Sequence, residues 1–139
     1  MKVDIALEKD TVVSSMTMDL SIIIKLTNSI SSAQEIIFDK QIASTGTPWG
    51  ISAKVLDKKT GKSVLQYENI AAMESRAYLK EDLKDKYTQL PAGGFIEKKY
   101  KLTNIVAYGT PNDSLLPGTY SLQIFYYDNA SNIVTLTVQ

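Results

Sequence analysis

The sequence predicts an all-β protein made of two antiparallel sheets packed face to face. Three observations predict it. In Leu116-Pro117-Gly118-Thr119-Tyr120-Ser121-Leu122-Gln123-Ile124-Phe125-Tyr126-Tyr127, a Pro-Gly turn opens a run in which Tyr120, Leu122, Ile124 and Tyr126 fall on one side. Strict alternation of this kind marks a strand with one buried face. A second run places Met18, Leu20, Ile22, Ile24 and Leu26 inward, and Thr17, Asp19, Ser21, Lys25 and Thr27 outward, with Ile23 the one apolar residue on the outer side. A helix would spread these residues around its barrel, whereas a strand gathers five of them on one face. Short apolar runs of this type recur at fairly regular spacing, separated by Gly, Pro, Asn, Asp and Ser.

Taken in order, Val3, Ile5 and Leu7 share one face of a first strand, and Asp10-Thr11 makes a turn-like break. The long second run follows. Asn28-Ser29-Ile30-Ser31-Ser32 has the composition of a loop, and Glu35-Ile36-Ile37-Phe38-Asp39 that of a short third strand. A second loop, Ser44-Thr45-Gly46-Thr47-Pro48, leads through Trp49 into a strand over 50–56. Asp57-Lys58-Lys59-Thr60-Gly61 reads as a tight hairpin connection, with 62–67 returning beside it. Between 69 and 89 the period changes: Leu79, Leu83 and Tyr87 recur every fourth residue among charges, the pattern of a short helix or an irregular crossover. Ile96, Tyr100 and Leu102 then alternate with Glu97, Lys99 and Lys101, a loop covers 108–114, and a last strand carries Val134, Leu136 and Val138 inward. A closed barrel is the alternative to two packed sheets.

At 139 residues one domain is expected, large enough to hold a core without staples. The chain has no cysteine, hence no disulfide framework and no thiolate metal site. It has no histidine, which removes the commonest general base, metal ligand and pH switch together. Lys and Arg number 15 and Asp and Glu 15, a balance that lacks the basic field of nucleic-acid and anionic-membrane binders. No apolar stretch reaches the length of a membrane span. Met1-Lys2 runs straight into the first strand, an abrupt start from which removal of a leader, and hence an extracytoplasmic rather than cytoplasmic location, is expected.

Thr60-Gly61-Lys62-Ser63 resembles the end of a phosphate-binding loop, but Leu56 stands where that loop needs its first glycine, so a hairpin turn is the expected use. No serine has a lysine three residues on, and the acids show no recognisable catalytic or calcium-binding spacing. The expectation is therefore a protein that is not an enzyme and takes no cofactor or metal. Two triplets, Asn112-Asp113-Ser114 and Asn129-Ala130-Ser131, match a glycosylation acceptor, a pattern common by chance. Candidate protein-binding residues are Trp49, Phe125 and Tyr127. Trp49 serves either as an interface anchor or, the favoured use, as a core plug. Phe125 and Tyr127 are expected to face outward and to form an apolar patch with Ile23, or to be covered by the segment around Leu79 and Leu83. Loops 42–48, 108–114 and 128–131 are the first places to look for a binding surface.

Two segments resemble a family of bacterial immunoglobulin-like domains. One is Leu26-Thr27-Asn28-Ser29 with Glu35-Ile36-Ile37-Phe38-Asp39; the other is Leu90-Pro91-Ala92-Gly93-Gly94-Phe95, Tyr100-Lys101-Leu102 and Leu116-Pro117-Gly118-Thr119-Tyr120-Ser121-Leu122. That family includes intracellular proteinase inhibitors and the non-catalytic modules that precede metallopeptidase domains. The resemblance spans about half the chain and rests on turn and core motifs. It departs at Pro91-Ala92-Gly93, where proline and glycine are separated. It implies an immunoglobulin-like antiparallel β-sandwich of about seven to nine strands, with one short helix or irregular crossover. It implies a tyrosine corner at Tyr120, whose hydroxyl bonds nearby backbone, and a partner that is another protein, a proteinase in the sharpest form. The alternative, a structural or accessory module of a secreted or cell-envelope protein, is expected from the balanced charge, the lack of a recognisable site and the abrupt start at a strand.

Overall fold

The computed structural model describes residues 1–38, 48–67, 80–110 and 114–139. Within them the chain is mostly β-strand in antiparallel sheets. The first sheet is three-stranded: β1 (Lys2–Leu7), β3 (Ser21–Thr27) and β8 (Phe95–Lys101), with β3 in the middle. The second centres on β10 (Gly118–Tyr126), flanked on one edge by β5 (Ile51–Asp57) and on the other by β11 (Asn129–Ala130) and β12 (Val134–Val138). Beyond β12 lies β2 (Thr11–Val12), the one parallel neighbour among the named strands. Two small ribbons complete the set: β4 (Gln34–Ile36) with β7 (Thr88–Leu90), and β6 (Leu65–Tyr67) with β9 (Ala107–Tyr108).

Alternation builds the core. Val3, Ile5, Ile22, Ile24 and Leu26 of the three-stranded sheet share one buried cluster with Ile51, Ala53, Val55, Tyr120, Leu122, Ile124, Tyr126, Leu136 and Val138 of the other. Each such Val, Leu or Ile is worth roughly 1.5–3 kcal/mol on burial. The outer face of the three-stranded sheet is charged and paired: Lys2 to Asp4 at 3.8 Å, Lys99 to Glu8 at 3.0 Å and Lys101 to Asp19 at 3.5 Å. Lys98 sits opposite Ile24, on the inward parity of edge strand β8, yet remains exposed. An inward charge on an edge discourages a further strand from adding there.

The sheets are tied at their margins. Asn132 accepts from the Ile5 amide at 2.8 Å and donates to the Ile5 carbonyl at 3.1 Å, so one side chain does the work of a strand neighbour on β1. Beside it, Val3 bridges Ser131, whose buried hydroxyl accepts from the Ile124 amide of β10 at 3.0 Å. Asn28, fully buried, donates to the carbonyls of Ser32 and Leu90 at 2.8 and 2.9 Å and accepts from the Ile30 amide. Its backbone exchanges bonds with Gly93 and Gly94. The two segments that carry the family resemblance are thus in direct contact. The Tyr120 hydroxyl donates to the Leu116 carbonyl at 2.6 Å, the corner bond expected of it.

Several sequence expectations are corrected. Residues 14–19 form a 3₁₀ helix, Ser14–Asp19, and the second run becomes strand only from Ser21. In a 3₁₀ turn, residues three apart share a face. Thr17 and Leu20 are therefore buried, and Met18, expected inward, is 43% exposed. Thr17, expected outward, tolerates burial because its hydroxyl donates to the Ser14 carbonyl at 2.8 Å and accepts from the Leu115 amide at 2.9 Å. The break at Asp10-Thr11 leads into β2. The third strand is Gln34–Ile36, with Ile37 and Phe38 buried beyond it, and Asp39 lies outside the described residues. The hairpin at 57–61 forms, with Gly61 at φ +70° and its amide on the Asp57 carbonyl at 2.7 Å. Its returning arm stays beside β5 through the Asp57 amide on the Lys62 carbonyl, a bridge from Ser63 to Leu56 and a bond from Val64 to Val55, and then leaves to pair with β9. β9 occupies the start of what the sequence presents as the loop at 108. Of the segment 69–89, Lys80–Lys86 form a 3₁₀ helix, with Leu83 buried and Tyr87 exposed; residues 69–79, Leu79 among them, lie outside the described residues.

Asn28→Ala leaves the Ser32 and Leu90 carbonyls and the Ile30 amide without this partner, and should cost about 3 kcal/mol. Asn28→Asp should cost more, because it sets a carboxylate against two carbonyl oxygens. Urea denaturation checks both: the midpoint falls while the slope is unchanged.

Candidate functional site

Two surfaces bring chemistry-bearing side chains together. The first is the aromatic end of β10. Tyr127 follows the strand in the left-handed region, at φ 50°, and its amide donates to the Gly50 carbonyl at 2.9 Å. Its ring lies edge-on to Tyr126, with centroids 4.8 Å apart, and passes so close to Gly50 that a Cβ there would sit 2.7 Å from it. Gly50 also has φ +76°, so only glycine suits that position. A hydrogen bond from the Trp49 side chain reaches the Tyr127 phenol. Burial, more than that bond opposes, pushes the Tyr127 hydroxyl up from its ordinary pKa. The Tyr126 hydroxyl donates to the Ile37 carbonyl at 3.1 Å, and its ring meets Phe38 edge to face.

The three candidates part company here. Trp49 is buried with Ile37 and Leu83, the core use favoured on sequence grounds. Tyr127 is 54% exposed and rests on Trp49 and Gly50. Phe125 is half-buried on the outer face of the five-stranded sheet, with the Lys54 ammonium 5.6 Å from its ring centre. Ile23 is half-buried on the outer face of the other sheet, because β3 and β10 belong to different sheets. The joint patch of Ile23, Phe125 and Tyr127, one of the two alternatives, is therefore not formed. Of the loops singled out, 42–47 and 111–113 lie outside the described residues. At 128–131 the Asn129 side-chain nitrogen donates to the Tyr126 carbonyl and Ser131 is buried, so the acceptor-like triplet there serves the turn.

The second surface was not anticipated. Glu8, Lys9, Thr11, Val12, Val13, Met16, Asp19, Leu20 and Ser21 line an open cleft of about 330 Å³. It runs where the chain crosses from the three-stranded sheet to the five-stranded one. Val13 and Met16 stand on its rim at 48% and 49% exposure. The Ser14 hydroxyl donates to the Leu115 carbonyl, and Thr17 receives the Leu115 amide, so the rim is fixed to the segment leading into β10. Leu116, next along, is 68% exposed. Lys99, through a hydrogen bond and its charge, holds the Glu8 carboxyl below its ordinary pKa. The only sequence signal for this cleft is the apolar pair Val12-Val13 just before Ser14-Ser15, which fits neither a break nor a strand continuing to Leu26.

Among the described residues, no group of three or more His, Cys, Asp or Glu side chains gathers as a metal site, and no helix is long and apolar enough to cross a membrane. No family model matches the chain, and no curated protein does. Among solved structures, it is similar to the Pseudomonas fluorescens alkylpurine DNA glycosylase AlkC bound to DNA containing an abasic site analog. The identity is 10%, the TM-score 0.48, and the match covers 99% of this chain and 30% of that one. A likeness that remote carries no inference about what this chain binds.

Burial, and then the neighbouring Tyr127, push the Tyr126 phenol far above its ordinary pKa. Tyrosines of the unfolded chain ionise near pH ~10, so what Tyr126 contributes to stability is whole below that pH and drains away as pH rises beyond it. Tyr126→Phe should lose about 1 kcal/mol near neutrality, the bond to Ile37, and show a shallower alkaline decline. Urea stability measured at neutral pH and above pH ~10 checks both effects.

Proposed function

We propose that the chain is a non-enzymatic protein-binding module, an immunoglobulin-like β-sandwich that engages its partner at the cleft beside β2. The observation that carries this reading is the pair of exposed apolar side chains, Val13 and Met16, held on the rim of a concave surface by buried hydrogen bonds. Exposed apolar groups of this kind, set among charges, are what partner surfaces present. The fold reading is supported by two sheets feeding one core, by the corner bond of Tyr120 and by contact between the two resembling segments. The non-catalytic reading rests on a sequence without histidine or cysteine. In its sharpest form the partner is a proteinase, as the family resemblance implies, and the setting is extracytoplasmic.

A second reading, a structural or accessory module of a secreted or cell-envelope protein, is favoured by the outer face of the three-stranded sheet. That face is a ladder of mutually paired charges, with Lys25 also laid over Phe95 at 4.3 Å, as suits a solvated spacer.

The chain titrated against a panel of serine and metalloproteinases tests the first reading. Stoichiometric inhibition is expected. Met16→Glu should weaken it about tenfold or more, since an anchor in a partner surface carries at least that much. The melting temperature should stay unchanged, because Met16 is half in water. No inhibition of any member at micromolar concentration removes the inhibitor form.

A further inference from the structure

The cleft has a backbone wall as well as a side-chain one. The Thr137 and Gln139 amides donate to the carbonyls of Asp10 and Val12, and Ser14 donates to the Gln139 carbonyl. These groups of β2 and its flanks are turned toward β12. Successive residues of a strand direct their N–H and C=O groups to opposite edges. The N–H and C=O of Thr11 and the N–H of Val13 are therefore turned the other way. Thr11, Val12 and Val13 all line the cleft, as consecutive residues do when a cleft follows a strand's backbone edge. The Val13 carbonyl is taken by the Met16 amide at 2.9 Å, which ends the strand and caps how far pairing can run.

We propose that this edge of β2 receives an extended peptide strand from a partner protein, with one apolar side chain of that strand filling the cleft against Val12, Val13, Met16 and Leu20. The proposal rests on the protein-binding reading and deepens it. Backbone donors and an acceptor in strand geometry are matched by another strand, whose own amides and carbonyls complement them residue by residue. Because the exposed edge is so short, pairing alone is weak, and a buried anchor must supply the rest. The cleft has room for a large aliphatic or aromatic side chain.

The mouth is charged. Its carboxylates, Glu8 and Asp19, are bridged by Lys99 and Lys101, and Lys9 stands beside Glu8 as a further cation. Asp10, whose carboxylate accepts the Thr11 hydroxyl, offsets Lys9, so the charges around the mouth balance and the selectivity falls to the backbone edge and the apolar cleft. β8 offers no equivalent site, because Lys98, Lys99 and Lys101 guard its edge.

The test is nuclear magnetic resonance titration of the whole chain with a blocked peptide of alternating valine and threonine around a central leucine. Saturable shifts are expected at the Thr11 and Val13 amides. N-methylation of the peptide's leucine nitrogen should weaken binding about fivefold or more, the worth of one hydrogen bond. Met16→Ser in the protein should weaken it too, and leaves the fold intact because Met16 is exposed. No binding at millimolar peptide, shifts confined to residues away from β2, or equal binding of the N-methylated peptide would each overturn the proposal. A proteinase inhibited by the chain while the Thr11 and Val13 amides stay unmoved would overturn it too, and would leave the protein-binding reading standing.

Discussion

Everything in this molecule depends on one constraint: alternate side chains of β3 and β10, central strands of two different sheets, must lie in the same dry layer. Ile22, Ile24 and Leu26 come from one side and Leu122, Ile124 and Tyr126 from the other. Slipping β3 by one residue would place Ile23 and Lys25 in that layer and send three large aliphatics into water. The polar devices around the core act as register pins. Asn28 fixes the far end of β3 to the Leu90–Gly94 turn, and Asn132 fixes β1 from the side. Neither is a large source of energy beside the core, but each would be costly to leave half-made.

The strands buried on one face were legible because the period of two survives in the sequence. β1, β3 from Ser21, β10 and β12 fall where alternation puts them, and the Asp57–Gly61 turn where its composition does. What failed to show has a common physical cause, which is pairing between segments far apart. β2 is a strand only because β12 lies beside it, and β6 leaves its hairpin because β9 is available. Local pattern carries no trace of either pairing. The Thr17 and Met18 reversal has a different origin. A period-two reading was run through a 3₁₀ turn, where the period is three, and a threonine able to satisfy its own hydroxyl was counted as surface.

The candidate site was only partly legible, for the same reason. Aromatic residues attract attention in a sequence, and Trp49, Phe125 and Tyr127 stood out. In the fold, Trp49 is spent on packing and on steadying Tyr127, while Phe125 lies apart under Lys54. The cleft is instead assembled from Glu8 to Ser21, a stretch that reads as a turn followed by a strand. Its shape comes from the chain changing sheets. That crossing puts β2 at the margin of its sheet, with one edge unshared among the described residues, and leaves Val13 and Met16 outward at the rim. The cleft is thus a by-product of how the two sheets are joined, which makes its geometry as stable as the joint itself.

The most direct measurement of the central constraint is native-state hydrogen exchange of the hydrogen-bonded amides in β3 and β10 across low concentrations of denaturant. If both strands bury their alternate residues in one layer, neither can open without the other. Their slowest amides should then exchange with a single opening free energy equal to that of global unfolding, and with the same dependence on denaturant. If β3 exchanged at a distinctly lower free energy while β10 stayed protected, the sheets would be separable and the shared core would not be what holds this protein together.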